Sequence, residues 1–288
     1  MFSEPTDQAV RERMHRAFNR AAAQLKATAS TTPRAWGHSG RTLGGPVATQ
    51  AYPAWLRILQ SPDGKQGGKL WTGTEQANTI LPADVPHPCL LARIDWTRDG
   101  FAYRAELSEY VATATCSDNP ALPEETVLSA VWWTRLRRAI DTIGALPLPP
   151  GRAPVVTQDY IHRAIPRYLG AAGIDTSDID TTVRRWSLAH GDLHWANLTA
   201  PDLVLLDWEG FGPAPYGFDA AHLHAYTLTA PKAAAHLRTT LVHILERPEA
   251  RLAELTVAAM ILQAADRDPV HARLAPLVID RIRAHTEQ

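Results

Sequence analysis

The feature that most constrains this chain is a short polar stretch near residue 190, followed by an apolar run that ends in a second carboxylate. Asn197 lies five residues after Asp192, and the run 203–206 leads directly into Asp207. Carboxylate and amide oxygens are hard ligands of the kind that Mg²⁺ prefers. We therefore expect the fold to bring the oxygen-bearing side chains of Asp192, Asn197 and Asp207 together.

The first third of the chain has mainly strand-like patterns. Short runs of aromatic and β-branched residues bounded by Gly, Pro and Asp are typical of strands, whereas apolar residues spaced three and four apart predict helices. The predicted strands cover residues 34–37, 46–52, 54–59, 89–95 and 101–107. The predicted helices cover residues 6–27 and 70–81. We therefore expect a sheet with a leading helix and one further helix.

The later part of the chain has helical patterns. Glu124 favours the start of the first of these helices because carboxylates stabilise helix N-termini, and Pro or Asp bounds most of the others. The predicted helices cover residues 123–144, 155–169, 177–186, 219–229, 231–245, 248–266 and 269–285. The patterns predict an α+β protein with a strand-rich domain over residues 1–107 and a helical domain over residues 108–288.

Composition excludes several classes of partner. The formal net charge of −1 gives no general attraction to nucleic acid or to an anionic membrane. The chain also has no run of about 20 apolar residues, the length that spans a bilayer, and its first 26 residues lack the apolar core of a signal peptide. We expect a cytoplasmic protein that binds neither nucleic acid nor membrane, and the sequence predicts no particular oligomeric state.

Three segments resemble one group of enzymes. They are His-Gly-Asp at 190–192 with Asn197, Leu-Asp-Trp-Glu at 206–209, and the segment 213–219. Together they look like the aminoglycoside phosphotransferase and choline kinase group of small-molecule kinases, which have His-Gly-Asp where protein kinases have His-Arg-Asp. The resemblance implies a protein-kinase-like bilobal fold, with a strand-rich N-terminal lobe that binds nucleotide and a mainly helical C-terminal lobe.

The resemblance also implies roles in the second lobe. Asp192 would accept or orient the proton of an attacking hydroxyl group, and Asn197 and Asp207 would bind Mg²⁺. His190 would anchor the loop by hydrogen bonding, and Asp219 would brace it from the following helix. The expected reaction moves the γ-phosphate of ATP or GTP to a hydroxyl group of a small molecule.

The first lobe departs from the kinase pattern. The strand 54–59 has Arg57 at the position of the phosphate-binding lysine, and Arg and Lys are not interchangeable there. Glu75, on the following helix, is its predicted partner. A phosphate-binding turn is predicted at Ser39 and Gly40, with Gly44 and Gly45 as a second candidate, because backbone N–H groups can cradle phosphates. The resemblance also implies a hinge at Glu106 and Leu107. An inactive kinase-like nucleotide-binding protein is therefore one alternative.

The acceptor is left open by the sequence. Trp195, with Trp208, is a candidate for lining the site, and Glu209 and Asp266 could contact a substrate. Together with Glu254 and Asp268, these carboxylates would suit a cationic acceptor such as an aminoglycoside, so antibiotic resistance and primary metabolism are both compatible. Another alternative is a metal-dependent hydrolase, since His and Asp are frequent between residues 190 and 224. Against it, His222 and His224 lie two apart on a predicted helix and cannot share a face.

Overall fold

The chain divides into a strand-rich unit and a helical unit. The computed structural model describes residues 4–37, 40–124 and 126–286. The first unit is formed by Met1–Thr79 and His87–Ala112, and the second by Ile80–Pro86 and Thr113–Gln288. The first contains an antiparallel sheet and the second is mainly helical, which confirms the predicted α+β class.

Among its described residues, the first unit contains six strands and two helices. The strands are β1 (Thr28–Ala29), β2 (Ala35–Trp36), β3 (Thr42–Ala48), β4 (Pro53–Pro62), β5 (Leu90–Arg98) and β6 (Phe101–Glu109). The helices are α1 (Gln8–Gln24) and α2 (Lys69–Ile80). The strand order is β1-β3-β4-β6-β5, and β2 also pairs with β3. The strand predicted at 46–52 corresponds to β3, which begins earlier, at Thr42, and includes Gly44 and Gly45.

Helix α1 covers one face of this sheet. Asp7 caps it by accepting a hydrogen bond from the Ala9 N–H at 2.8 Å. Met14 and Phe18 are fully buried in one cluster with Leu56 of β4; burying side chains of this size stabilises a fold by about 1.5–3 kcal/mol each. Because side chains alternate along a strand, this packing places Arg57 on the opposite face of β4.

The second unit contains seven α-helices and one two-stranded ladder among the residues that the structure describes. The helices are α3 (Ala130–Ala145), α4 (Gln158–Ala164), α5 (Phe218–Thr227), α6 (Pro231–Thr240), α7 (Val242–Leu245), α8 (Arg251–Ala264) and α9 (Pro269–Thr286). The strands are β7 (Trp186–Ala189) and β8 (Gly212–Pro215). Short helical turns of other types lie at Ile165–Leu169, Trp195–Asn197, Trp208–Gly210 and Pro248–Ala250. Within the described ranges, no helix combines the length and the apolar character that a membrane span requires.

Helix α3 begins later than predicted. The pattern over 123–144 suggested a start near Glu124, but the helix starts at Ala130 after a cap in which the Ser129 hydroxyl accepts from the Trp132 N–H at 3.1 Å. A side-chain acceptor at the N-cap satisfies a free helical N–H group directly, which a more distant carboxylate does not. Val127 is therefore fully exposed rather than part of the apolar helix face.

The predicted helix at 177–186 is wrong. Asp175 accepts hydrogen bonds from the Ser177 N–H at 2.9 Å and from its hydroxyl at 2.8 Å. Asp180 accepts one from the Thr182 N–H at 2.9 Å. Such local bonds from Asp side chains compete with helical hydrogen bonding, so the segment forms turns and then enters β7.

Candidate functional site

The polar stretch lies in the connection between β7 and β8, which we call the 190–211 loop. The two strands are antiparallel, with Ala189 opposite Gly212 and Leu188 opposite Pro213. The ladder holds the two ends of the loop side by side, although they are about 20 residues apart in sequence. The first and last residues of the loop therefore have fixed positions in the second unit.

Two glycines allow the ends of the loop to approach each other. Gly191 has φ +86°, a conformation that residues with a side chain rarely adopt. A Cβ atom placed on it would lie 2.4 Å from the backbone oxygen of Gly210. The His-Gly-Asp segment thus requires glycine at its centre because the backbone of the returning chain occupies the space of a side chain.

His190 connects the two halves of the loop. It is fully buried, and its Nε2 lies 2.8 Å from the carbonyl oxygen of Leu206, to which it donates when Nε2 carries the proton. Its Nδ1 lies 3.3 Å from the Asp192 N–H, a weak contact in which it accepts. The imidazole therefore links the start of the loop to the residue that precedes Asp207, which is the geometry of an anchor.

Asp219 holds the start of the loop from α5. One carboxylate oxygen accepts from the His190 N–H at 2.6 Å and the other from the Gly191 N–H at 3.0 Å. The side chain is nearly buried. Burial is the largest influence on it and raises the pKa of Asp219, against the lowering effect of His190 and the two N–H groups. The two bonds use both oxygens and so fix the orientation of the peptide before Asp192.

Asn197 and Asp207 are brought together by the backbone. The Leu206 N–H donates to the Asn197 carbonyl at 2.8 Å, and Leu198 and Leu205 form an antiparallel bridge. The Nδ2 of Asn197 donates to the Asp192 carbonyl at 2.9 Å, which leaves its amide oxygen as the atom to meet a cation. Asp207 has the left-handed conformation, with φ 59° and ψ 67°. The three predicted residues thus belong to one hydrogen-bonded loop.

Three histidines surround the carboxylate of Asp192. His194 Nε2 lies 3.5 Å from its Oδ2, and His222 Nε2 lies 4.0 Å from its Oδ1. Partial burial of the carboxylate, the largest single influence, would raise the pKa of Asp192, but His194, His222 and His190 together hold it well below the usual range. Burial is also the largest influence on His222 and lowers its pKa to about 4, against the attraction of Asp192. Near neutral pH, Asp192 is therefore ionised and His222 is neutral.

The pair of Asn197 and Asp207 fits a magnesium ion in the kind of atoms it offers. Both side chains supply oxygen, and Mg²⁺ commonly takes one or two protein oxygens and completes its coordination with water and phosphate. Within the described ranges, no three His, Cys, Asp or Glu side chains cluster so that they could hold a metal ion. The hydrolase alternative, which relies on such a cluster, gains no support from this geometry.

The two tryptophans predicted to line the site are instead part of the core. Trp195 is fully buried, stacks on Trp132 at 6.0 Å and donates from Nε1 to the Thr227 hydroxyl at 2.9 Å. Trp208 is 3% exposed and donates to the Leu205 carbonyl at 2.8 Å. Both predictions are wrong because these rings pack inward, where their N–H groups find partners within the fold.

The acidic residues suggested for a cationic acceptor have other roles or positions. Glu254 contacts Arg238 at 2.8 Å and Arg251 at 3.8 Å. Asp268 accepts from the Val270 N–H at 2.8 Å and so caps α9. Asp266 is exposed in the turn after α8. Glu209 is half-buried in the 190–211 loop. The structure thus gathers none of Glu254, Asp266 and Asp268 into an acidic acceptor site.

Arg57 of the first unit pairs with a different carboxylate from the one predicted. Its Nη1 lies 3.7 Å from Glu106 Oε2, and the two residues face each other across β4 and β6. Glu75 contacts Arg93, and it contacts Arg104 at 3.4 Å. The prediction that Glu75 is the partner of Arg57 is wrong, because these two arginines occupy its carboxylate.

Sequence reasoning missed Arg104 as an organising residue. Its guanidinium donates to both oxygens of Asp95, at 2.8 and 3.2 Å, and to the Trp71 carbonyl at 2.7 Å. Arg104 is only 5% exposed. Its hydrogen bonds connect β6 to β5 and α2. A signal was present in the sequence, since Arg104 stands opposite Asp95 once the hairpin of β5 and β6 is paired in register.

Only Gly40 of the predicted phosphate turn is among the described residues, and the predicted hinge is part of a strand. Gly40 has φ +67°, and a Cβ atom there would lie 2.2 Å from a side-chain atom of Pro5, so local packing alone requires glycine. Ser39 lies outside the described residues. Glu106 and Leu107 are inside β6, which continues to Glu109, because strand pairing extends beyond the predicted end. The chain leaves the sheet only after Glu109.

A cavity of about 560 Å³ opens beside His222 in the second unit. Its walls come from α4, α5, α8, α9 and the segment before α4. The lining residues include Val155, Val156, Thr157, Tyr160, Arg163, His222, Tyr226, Val257, Met260, Ile261, Gln263, Ala264, Arg267 and His271. The size is within the range of sites for small molecules. His222 both lines this cavity and faces Asp192, so it connects the cavity to the 190–211 loop.

The low pKa of His222 predicts a specific loss of stability in acid. Its folded-state pKa of about 4 is below the ordinary value of about 6.5, so the unfolded chain takes up this proton first as the pH falls. His222→Asn retains a donor for the Leu193 carbonyl, which lies 3.0 Å from Nδ1. The loss of unfolding free energy between about pH 7 and pH 4.5 should be about 2 kcal/mol smaller in this variant.

Urea unfolding of wild type and variant at the two pH values measures this difference. His162→Asn, at an exposed position on α4, is the control and should retain the wild-type pH dependence. An equal loss of unfolding free energy between the two pH values in all three proteins would show that His222 does not contribute to acid sensitivity.

Comparison with known proteins identifies the fold. No family model and no curated protein matches this chain, but solved structures do. Aminoglycoside phosphotransferase APH(4)-Ia has a TM-score of 0.59 at 13% identity, covering 90% of this chain and 96% of its own. The microcompartment-associated aminopropanol kinase has 0.58 at 12%, covering 91% and 94%. Spectinomycin phosphotransferase APH(9)-Ia has 0.50 at 11%, covering 92% of each chain.

Some of these enzymes were solved with ligands. One structure of APH(4)-Ia contains AMP-PNP and hygromycin B, and that of APH(9)-Ia contains ADP and spectinomycin. The similarity confirms the fold that the resemblance implied, the protein-kinase-like fold of small-molecule kinases.

Proposed function

We propose that this protein transfers the γ-phosphate of ATP or GTP to a hydroxyl group of a small molecule. The observation that carries the proposal is the 190–211 loop, in which Asp192, Asn197 and Asp207 belong to one hydrogen-bonded unit that Asp219 holds from α5. Phosphoryl transfer depends mainly on positioning and on stabilisation of charge. A braced loop that presents one accessible carboxylate beside two oxygen ligands is suited to that task.

Asp192 would orient the acceptor hydroxyl and receive its proton. Its side chain is 44% exposed, so an acceptor can reach it, whereas its backbone is tied to Asn197 and His190. A carboxylate with a lowered pKa is a weak base. The transition state of phosphoryl transfer is loose, with little bond formation to the nucleophile. Orientation of the hydroxyl group is therefore more important for the reaction than a strong base.

Asn197 and Asp207 would hold Mg²⁺, which would neutralise charge on the transferred phosphate. In the first unit, Arg57 is the candidate cation for nucleotide phosphates, because its pairing with Glu106 fixes a guanidinium on the sheet face opposite α1. Gly40 remains a candidate for backbone contacts to phosphate. The nucleotide co-substrate favours the cytoplasm as the place of reaction.

The test is an unbiased search for the acceptor. Purified protein is incubated with Mg²⁺, ATP or GTP and a metabolite extract, and mass spectrometry is used to find compounds that gain one phosphoryl group. We expect at least one such product, formed only with Mg²⁺. If nucleotide binds but no compound gains a phosphoryl group, the alternative of an inactive kinase-like protein is favoured. If nucleotide does not bind in the presence of Mg²⁺, both readings fail.

Replacement of Asp207 should change the requirement for metal. Asp207→Asn keeps the size of the side chain and tolerates the left-handed backbone, but it removes the negative charge that attracts the cation. We expect the Mg²⁺ concentration for half-maximal phosphoryl transfer to rise at least about 10-fold. Asp202→Asn, which changes a side chain that is 80% exposed, is the control. An unchanged Mg²⁺ requirement would remove Asp207 from the metal site.

A further inference from the structure

The cavity beside His222 contains two arginines from different elements. Arg163 lies on α4 and Arg267 in the turn between α8 and α9, and both line the cavity. Both residues are exposed. None of the described residues that line the cavity is Asp or Glu. The charged side chains that an occupant of this cavity would meet are therefore positive.

Neither guanidinium forms an ion pair in the part of the chain that the structure describes. Other arginines of the same unit do: Arg238 contacts Glu246 at 2.7 Å and Glu254 at 2.8 Å, and Arg184 contacts Asp180 at 2.7 Å. Arg163 and Arg267 thus remain available to a ligand, for which the planar fork of guanidinium suits carboxylate and phosphate groups.

Two of the acidic residues suggested for a cationic acceptor are already used, and the third, Asp266, is exposed in the turn after α8 and does not line the cavity. Asp268 accepts hydrogen bonds at the start of α9 and lies 3.1 Å from His271 Nδ1, so part of its charge is balanced by the helix N-terminus. Glu254 is bound by two arginines. Asp192, beside His222, faces the reacting hydroxyl group in the proposed function. A cationic acceptor would therefore find no free carboxylate among these residues other than the catalytic one.

The remaining walls are apolar or carry fixed polar groups. Tyr160 donates to the Gln263 side-chain oxygen at 2.6 Å, and the Tyr226 hydroxyl lies 2.8 Å from His271 Nε2. Since these polar atoms have partners, the rings and the neighbouring aliphatic residues present mainly apolar surface. An aromatic or aliphatic body would be desolvated there at little cost.

Two side chains of the cavity wall lie close to the proposed reaction centre. His222 and Tyr226 both line it, and their rings lie 4.7 Å apart. The Nε2 of His222 is 4.0 Å from the Asp192 carboxylate. His222 thus belongs both to the cavity wall and to the surroundings of Asp192, which places the cavity next to the proposed reaction centre.

We propose that the acceptor is a hydroxyl compound with an apolar body and an anionic group, such as a carboxylate, which Arg163 and Arg267 bind. This inference rests on the proposed function and specifies its substrate class. It differs from the cationic acceptors that Glu254, Asp266 and Asp268 would have suited. The amine-rich aminoglycosides are therefore poor acceptors for this protein.

The test compares three matched alcohols. These are 4-(hydroxymethyl)benzoate, benzyl alcohol and 4-(aminomethyl)benzyl alcohol, which share a ring and a hydroxyl group and differ in charge. Transfer from ATP gives kcat/KM for each, and calorimetric titration into Asp192→Asn measures binding without turnover. We expect the benzoate to exceed the amine at least about 10-fold in both measurements.

Variants assign the preference to the two arginines. The double variant Arg163→Gln, Arg267→Gln should bind the benzoate at least about 10-fold more weakly and bind benzyl alcohol as before. Arg167→Gln is the matched control, since Arg167 is exposed on the next turn and lies over the Tyr168 ring at 5.3 Å rather than in the cavity. Its preference should equal that of the wild type.

The outcomes separate this inference from the proposed function. Equal or better binding and phosphorylation of the amine would overturn the anionic acceptor and leave the phosphotransferase intact. A preference for the benzoate that survives in the double variant would also overturn the assignment to Arg163 and Arg267. If the benzoate binds with the expected dependence on the arginines but neither these alcohols nor any compound of the metabolite search is phosphorylated, the anionic site stands and the proposed reaction fails.

Discussion

Asp192→Asn should lower the rate of phosphoryl transfer about 10³-fold, a loss in the range found when a positioned proton acceptor is removed. The amide cannot receive the proton of the acceptor hydroxyl, and it places an N–H group where that hydroxyl should donate. The backbone N–H and carbonyl of Asp192, which contact His190 and Asn197, are unchanged by the substitution. The loop should therefore keep its conformation, and nucleotide affinity should change less than about 3-fold.

Two measurements check this expectation. Steady-state transfer to the acceptor found by the metabolite search gives kcat/KM, and titration with AMP-PNP and Mg²⁺ gives nucleotide binding. Asp202→Asn is the control, because that carboxylate is 80% exposed and is not one of the three candidate site residues of the loop. If Asp192→Asn retains more than about a tenth of the wild-type rate, Asp192 is not the proton acceptor.

The sequence carries clear signals for the conformation of the 190–211 loop because its geometry is mainly local. Asp192 and Asn197 are five residues apart in sequence, and one side-chain hydrogen bond links them. The left-handed turn at Asp207 suits Asp more than most residues, and Gly191 supplies the close backbone approach. Residue types in such a loop thus report directly on its conformation, which is why a short stretch was informative.

Long-range packing explains the predictions that were wrong. Trp195 stands between catalytic candidates in sequence, yet it stacks on Trp132, a partner that no local pattern reveals. Glu75 contacts Arg93 and Arg104 because the pairing of β5 with β6 places these two arginines beside α2. In both cases the competing partner comes from another element, so the choice between partners is made by the fold.

The helix prediction for the segment 177–186 was wrong for a different reason. Its apolar spacing was compatible with a helix, but Asp175 and Asp180 each precede a Ser or Thr by two residues, the spacing of a local side-chain turn. This signal was present in the sequence and outweighs weak periodicity. The cavity beside His222, in contrast, is lined by residues from four helices, and no local sequence pattern predicts it.

Asp219→Asn should lower the free energy of unfolding by about 3 kcal/mol, because two buried N–H groups lose a charged acceptor. The carboxylate accepts from His190 and Gly191 with separate oxygens. An amide has one oxygen, so its NH₂ group would face one of the two N–H groups. The same change should lower transfer activity at temperatures where the variant is still folded, since the peptide before Asp192 loses its orientation.

Urea unfolding and steady-state transfer, measured on the same protein samples, separate the two effects. Asp178→Asn is the control, at an exposed position in the turns before β7, and both measurements should match the wild type. A variant that is destabilised but fully active when folded would show that Asp219 supports the fold without positioning Asp192. A loss in both measurements means that one carboxylate does both, since the bonds that stabilise the loop are those that orient it.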